Sequence, residues 1–499
     1  MTLELHDTLT GTKKPLVTTE PGHARMYVCG PTVYDYAHLG HARCYVVWDV
    51  LYRHLLASGY RVTYVRNVTD VDDKILKRAS ERGETPTELA SRFTAEYTAD
   101  MDRLKNLRPT VEPRVSEHIA QIVALVERLI ARGHAYATND GDVYFDVASD
   151  PGYGKLSHRD LAQLSAGASG RTDAELLERK KNAADFALWK SASRDQWGWE
   201  SPWGWGRPGW HIECSAMSMH HLGETFDLHG GGLDLVFPHH ENEIAQSECA
   251  TGKPFANVWV HNGFVEVDKE KMSKSLGNFF TARDLFERCE PEAVRYFVMT
   301  VHYRSPLALD WELDDAGNVR RFPQFEDAER RVEYLYGTKR RLASLPAERV
   351  VDVDTKAPTE IAGFPAALAA ALDDDLNMPI ALAAIAGFLA AVNELCDGAL
   401  RKKGKAARSH VEDARRGFEA IEARLGLGAE DPGAVLERIR DRRALARGVS
   451  KAMVEERIVA RAEARGRKDF AAADAVRDEL AALGVELLDG ADGTSWTIP

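Results

Sequence analysis

The chain has 499 residues, 44% of them hydrophobic, and a formal net charge of −13. That length supports several hydrophobic cores, about two to four domains, and no stretch reaches the ~18 uncharged apolar residues of a membrane-spanning helix. So strong an acidic balance argues against a general nucleic-acid binder.

Residues 1–6 are partly acidic and lack a basic-then-apolar leader pattern, so a cytoplasmic location is expected. Residues 24–66 read as one βαβ unit. Residues 25–29 form a short strand that ends at Gly30-Pro31. After a loop, residues 41–57 form a helix with Val46, Val47, Val50, Leu51 and Leu55 at helical spacing, and residues 61–65 form the next strand. A strand that feeds a loop and a helix N-terminus is a common phosphate site. Residues 85–134 read as helical, 142–147 as a strand, and 154–207 as less regular and rich in Ser, Gly, Lys and Trp. Roughly 115–205 is therefore expected to be an insertion that splits an α/β domain. The alternation resumes with a helix near 210–221, a strand at 225–229, a helix near 240–250 and a strand at 257–261.

Residues 265–277 are a short strand and a Lys/Ser/Gly loop. Thr281 can cap the helix that follows, and Pro291 suits the first turn of another. From about 315 the pattern is nearly all helical, punctuated at Asp373-Asp-Asp-Leu-Asn-Met-Pro379 and near 426–432. Residues 485–489 and 494–497 suggest a small hairpin. Residues 401–470 hold 19 Lys or Arg against 12 Asp or Glu, a net of +7 that leaves −20 on the rest. A basic C-terminal segment on an acidic body fits a phosphate-bearing partner, although a solvated helical surface has the same composition.

Two constellations carry chemistry. In the first, His38-Leu39-Gly40-His41 opens the first helix. Gly40 permits close approach of a ligand, and both imidazoles can donate to phosphate oxygens at the dipole-positive helix end. Lys271-Met-Ser273-Lys274-Ser275 follows on a loop, where two lysines three apart can clamp a polyphosphate. Either segment alone is common on protein surfaces. In the second, Cys29, Cys214, His239 and Glu243 form a plausible metal set, with His239 and Glu243 one turn apart on a helix. Spacing alone leaves His211 and His240 as rivals. The six cysteines are too scattered for a disulfide framework. His229-Gly-Gly-Gly232 is similar to a lipase oxyanion motif, but no Gly-x-Ser-x-Gly elbow accompanies it.

The two lysine and histidine segments resemble the HIGH and KMSKS signatures of class I aminoacyl-tRNA synthetases, with Leu39 in place of Ile. Cys29-Gly-Pro-Thr-Val-Tyr-Asp35, Pro208-Gly-Trp-His-Ile-Glu-Cys-Ser-Ala-Met217, Asp227-Leu-His-Gly-Gly-Gly-Leu-Asp234 and Pro238-His-His-Glu-Asn-Glu243 resemble the cysteinyl-tRNA synthetase family. The resemblance runs from about residue 20 to the end. It implies an α/β, Rossmann-like parallel-sheet catalytic domain split by an insertion, an α-helical bundle anticodon-binding domain and a small C-terminal domain.

The expected boundaries are 1–114 and 206–262 for the two catalytic halves, 115–205 for the insertion, 263–320 for the lysine loop and stem-contact region, 321–428 for the bundle, and 429–499 for the C-terminal anticodon-binding domain. The resemblance implies one Zn(2+) per chain on Cys29, Cys214, His239 and Glu243. It implies Mg-ATP bound by His38, Gly40, His41, Lys271, Ser273 and Lys274, with the two histidines and two lysines catalytic. It places Thr69 and Asp234 near the amino acid, while Trp210, one turn before Cys214, can wall the cysteine pocket.

The substrates implied are L-cysteine, ATP and tRNA(Cys), and the state implied is a monomer with no membrane partner. Zinc binds a thiolate far better than a hydroxyl, so it separates cysteine from serine where packing alone is worth about 1–3 kcal/mol. His261 and Asn262 can face the nucleotide, and Trp496 can stack on an anticodon base. Ligases joining cysteine to an amino sugar in mycothiol synthesis share the motifs but lack the C-terminal region that this chain has. A non-catalytic zinc- or tRNA-binding relative would carry degraded ATP motifs, and both motifs are intact here.

Overall fold

Four apolar runs form a parallel sheet at the centre of the N-terminal half. The computed structural model describes residues 2–159, 180–267, 270–271, 280–313, 319–490 and 493–498. The strands are β1 (His23–Val28), β2 (Arg61–Arg66), β3 (Phe226–Gly232) and β4 (Ala256–Asn262), in spatial order β2-β1-β3-β4. Side chains alternate across it. Met26, Val28, Leu228, Val258 and Val260 pack under the helix α1 (Leu39–Ala57), against Val46, Val47, Val50 and Leu51. Tyr27, Val65, Phe226 and Trp259 point to the other face, against α2 (Ile119–Ala131) and α3 (Trp210–Leu222). A sheet covered on both faces explains why the middle of each run carries apolar residues on both sides, such as Met26-Tyr27-Val28 and Val258-Trp259-Val260. The strand order reverses between β1 and β3, and in open α/β sheets ligands bind at the strand ends outside such a point.

Three stretches differ from the sequence expectation. Residues 85–134 are not one helical region: a helix at Pro86–Arg103 and α2 are separated by extended chain. Pro109 and Pro113 lack the N–H a helix needs. The segment instead runs beside β2, with Val111 N–H donating to Tyr64 O at 3.1 Å and Arg66 N–H to Val111 O at 3.1 Å. The stretch 154–207 is more regular than its composition suggests. Phe186–Ser191 and Gly206–Pro208 complete a four-stranded antiparallel sheet with Ala135–Ala137 and Val143–Phe145. Strand β3 continues through its glycine run, because a Cβ on Gly230 would lie 1.9 Å from the buried Trp48 ring.

After β3 a tight turn, Val236–His240, leads into α4 (Glu241–Thr251). Beyond β4 come α5 (Pro291–Val298), α6 (Pro323–Ala343), α7 (Phe364–Asp373), α8 (Met378–Leu400), α9 (Arg408–Leu425) and α10 (Pro432–Ala446). Among the described residues, α8 alone is long and apolar enough to cross a membrane. Its Ile385, Phe388, Leu389 and Val392 are buried in the helical core, where Phe388 stacks on Phe364 at 4.2 Å. A separate small core joins α11 (Lys451–Gly466), α12 (Phe470–Ala482) and the hairpin Glu486–Gly490/Gly493–Thr497 around Val454, Leu480, Leu487 and Trp496.

Buried polar contacts tie the helices to the sheet half. Asp375, in the Asp-rich punctuation, accepts from Tyr303 Oη at 2.6 Å, Arg304 Nε at 2.9 Å and the His6 N–H at 2.8 Å. His54 of α1 donates from Nε2 to Asp373 at 2.9 Å and accepts at Nδ1 from Arg424 at 2.6 Å. That pattern requires a neutral ring. Burial, opposed by Asp373 and reinforced by Arg424, pulls its pKa from 6.5 down to about 4. A histidine whose folded pKa is depressed loses its stabilising contribution as pH falls from the unfolded value through the folded one. The chain should therefore lose about 2–3 kcal/mol at this site between roughly pH 6.5 and 4. Urea midpoints across that range should fall less steeply in His54→Gln; parallel curves for the two proteins would refute the assignment.

Candidate functional site

The C-terminal strand ends converge on a cavity of about 310 Å³ lined by Cys29, His38, Gly40, His41, Trp210, Asp234 and Asn262, among others. Cys29 and Gly30 follow β1. Gly30 must be glycine, since a Cβ there would sit 1.5 Å from the Asn67 carbonyl oxygen. Its N–H donates to Asn67 Oδ1 at 2.8 Å, and Asn67 Nδ2 donates to Thr69 Oγ1 at 3.0 Å. Thr69 is thus buried behind Asn67 and outside the cavity lining.

Helix α1 begins two residues earlier than its apolar spacing suggests, so His38 is its N-cap. His38 Nδ1 accepts from Gly40 N–H at 3.0 Å, and His41 Nδ1 accepts from His38 N–H at 3.2 Å. With both Nδ1 atoms acting as acceptors, the ring proton of each neutral imidazole sits on Nε2. Two N–H donors are then held at a helix N-terminus, the arrangement that favours a phosphate.

The lysine loop is anchored beside them at both ends. Val265 lines the cavity and starts the strand Val265–Val267, which pairs with Glu270–Lys271. At the far end, Leu39 N–H donates to Phe280 O at 3.2 Å and Ala282 N–H to Ala37 O at 2.8 Å. Ser273, Lys274 and the Lys271 side chain lie outside the described residues.

At the floor, Cys29, Cys214, His239 and Glu243 are buried, with their ligand atoms within 4.8 Å of one another. Cys29 Sγ is 3.7 Å from Cys214 Sγ and 3.4 Å from Glu243 Oε1, and His239 Nε2 is 3.0 Å from the same oxygen. Burial raises the Cys29 thiol well above its ordinary range, and the neighbouring Cys214 adds to this. Burial also raises Cys214, but the hydrogen bond from Cys29 and the His239 charge outweigh it and bring the thiol down to about 6. Burial lowers His239, yet Glu243 and Cys214 lift it to about 10. Against its burial, His229 and His239 hold Glu243 well below the usual carboxylate range.

Its ion pairs among the described residues are all to imidazoles. A buried carboxylate and two thiols without a Lys or Arg partner make a donor set that suits a divalent cation.

A second set, Cys29, His229, His240 and Glu243, overlaps the first. Its His229 Nε2 bonds the other Glu243 oxygen, Oε2, at 2.8 Å, and so orients the carboxylate from behind. His240 Nε2 lies 3.3 Å from Cys29 Sγ and its Nδ1 2.7 Å from His261 Nε2, while His261 Nδ1 is 2.7 Å from Thr8 Oγ1. This imidazole relay, kept neutral by burial, escaped the sequence reading; only the adjacency of His239 and His240 hinted at it. Trp210 is 38% exposed and stacks on His239 at 4.3 Å, which places it as a wall between cluster and cavity. His211 Nδ1 lies 3.0 Å from His239 Nδ1, where it positions that ring.

The family model for the class I (C) tRNA synthetase catalytic domain matches residues 15–316. The chain is 52% identical over 508 residues to a cysteine-tRNA ligase of Anaeromyxobacter sp. (strain K), with 100% of both chains covered. It is 47% identical over 499 residues to that of Geobacter sulfurreducens, again over 100% of both. The Mycobacterium tuberculosis methionyl-tRNA synthetase in complex with methionyl-adenylate shares the fold, with a TM-score of 0.60 at 18% identity over 83% of this chain and 93% of that one. A catalytic-domain match over most of the N-terminal half, joined to end-to-end identity near one half, shows that the chain belongs to the cysteine-tRNA ligase family of class I tRNA synthetases.

Proposed function

We propose that the chain activates L-cysteine with Mg-ATP and transfers it to tRNA(Cys), selecting cysteine over serine by zinc held on Cys29, Cys214, His239 and Glu243. The observation that carries this reading is the single cavity that joins the His38/His41 helix end to the Cys/His/Glu cluster. Zinc bound there supplies a Lewis acid that holds the substrate sulfur as a thiolate, for which a serine hydroxyl is a poor substitute.

The protein's own groups position the rest. A cysteine carboxylate oxygen attacks the ATP α-phosphorus, the bond to the bridging oxygen breaks, and pyrophosphate leaves. His38 and His41 donate from Nε2 to the phosphates, and the Gly40 backbone lets them approach. Lys271, Ser273 and Lys274 hold the departing pyrophosphate as its charge grows. Trp210 excludes water from the sulfur end, and Asp234 borders the amino-acid end, with Thr69 fixing Asn67 beneath. The 2′-hydroxyl of the tRNA terminal adenosine then attacks the adenylate carbonyl and releases AMP.

The basic helices beyond 401 offer a surface for the anticodon arm, while Trp496, buried in the small core with Arg440 over its ring at 4.3 Å, closes that core rather than facing a base. All six cysteines are free, which fits a reducing cytoplasm, and the expected working form is a monomer.

The deciding experiment is ATP–pyrophosphate exchange on zinc-replete protein with cysteine and then serine. Exchange with cysteine alone supports the reading; none with cysteine in folded, zinc-loaded protein would end it. Lys274→Ala should cut exchange by about 100- to 1,000-fold with the cysteine dependence nearly unchanged. A loss of only a few-fold would remove Lys274 from the reaction.

A further inference from the structure

We propose that His118, His220 and His221 form a second divalent-metal site, for zinc or a cation of similar softness, outside the catalytic cavity. The three residues come from two elements. His118 is the residue that begins α2, and His220 and His221 lie in the last turn of α3. One nitrogen from each lies within 4.8 Å of the other two. The site shares no residue with the Cys/His/Glu cluster. His220 follows Cys214 by six residues on the same helix, about 9 Å along its axis.

The three rings meet edge to face, with one nitrogen of each close to the other two. His118 is buried, and its Nδ1 donates to the Arg114 carbonyl at 2.7 Å. That bond fixes the proton on Nδ1, so the His118 Nε2 lone pair accepts from the His221 Nε2–H at 3.0 Å, a proton that a bound metal would displace. A backbone carbonyl behind a ligating histidine is the usual means of orienting one. Two nitrogens on one tetrahedral zinc stand about 3.3 Å apart, so this pair needs to open by only a few tenths of an ångström. Ring centroids are 5.1 Å apart for His118 and His221, 5.5 Å for His118 and His220, and 4.7 Å for His220 and His221.

Burial, with added repulsion from His118 and His220, pulls His221 down to about 4. Three imidazoles select zinc, copper, nickel or cobalt over magnesium or calcium. His220 is exposed, which leaves room for water as a fourth ligand. A metal here would staple the start of α2 to the end of α3, the helix that carries Cys214, and its contribution would be to stability rather than to the reaction.

The test is a zinc titration of the full chain against a chromogenic chelator at neutral pH, compared with His220→Ala/His221→Ala. Both substituted residues are accessible, so the fold should survive, and cysteine-dependent exchange should be unchanged. The wild type should hold two equivalents at about 1 µM free zinc and the double variant one. Added zinc should raise the thermal midpoint of zinc-replete wild type and leave that of the double variant unmoved. Cys214→Ser should keep the equivalent that the double variant loses. A single equivalent in the wild type, or two in the double variant, overturns the proposal.

Discussion

On the proposed function, Cys214→Ser is expected to leave the chain folded, without zinc at the Cys/His/Glu cluster and without the ability to tell cysteine from serine. The substitution changes one atom in a buried side chain. Packing is therefore nearly preserved. The electrostatics are not. In the wild type Cys214 is the more acidic of the two thiols, pulled down to about 6, whereas burial keeps Cys29 protonated. A serine hydroxyl does not ionise here, so the set loses one of its two thiolate donors. Cysteine-driven exchange should fall by at least about 1,000-fold, on the scale of losing a metal's contribution to binding. Whatever remains should favour cysteine over serine by no more than about 10- to 200-fold, the range that shape alone supplies. Elemental analysis and paired exchange assays would check both. A variant that retained full zinc would remove Cys214 from the ligand set.

The cluster's members sit in short contiguous motifs, Cys29 at a strand end and His239 and Glu243 one turn apart, but spacing left His211 and His240 open and the family resemblance chose among them. The same locality made the parallel sheet readable from its apolar runs. What stayed hidden depends on long-range contact. The extended run near Val111 reads as part of a helix until β2 offers it a ladder to join. Gly230 reads as a breaker until Trp48 shows why no larger residue fits. His240 and His261 form a relay to Thr8 only because a strand, a turn and the N-terminal segment bring them together. Thr69 belongs to the region by motif, but the contact that gives it a role runs through Asn67. The Ser273–Lys274 part of the loop is legible in sequence and lies outside the described residues.

The largest stability effect should come from Arg295→Ala, at a position that no motif marks. Arg295 lies in α5, fully buried. Its guanidinium pairs with Asp49 of α1 and donates to the Leu104 carbonyl at 3.0 Å, Asn106 Oδ1 at 2.8 Å and the Leu425 carbonyl at 2.6 Å. One planar fork thus joins the first sheet helix, the chain after the Pro86–Arg103 helix and the end of α9. Gly426, next to it, is in the left-handed region at φ 62°, and a Cβ there would meet the Arg295 side chain at 2.8 Å. Burial pulls the guanidinium below its ordinary value, and Asp49 works against that by stabilising its charge. Truncation leaves three acceptors unpaired and removes one of the two arginines beside Asp49; the other, Arg53, remains at 2.7 Å. Breaking a buried pair from one side costs about 3–5 kcal/mol, much of it from the polar groups left behind. If part of the loss comes from leaving Asp49 buried with Arg53 as its one remaining arginine, Arg295→Met combined with Asp49→Asn should recover that part. The urea midpoint of the helical half should drop in the single variant and rise again in the double. A drop below about 1 kcal/mol in Arg295→Ala would mean that the apolar contacts between α1, α5 and α9 hold this junction, and that the fork adds only to its geometry.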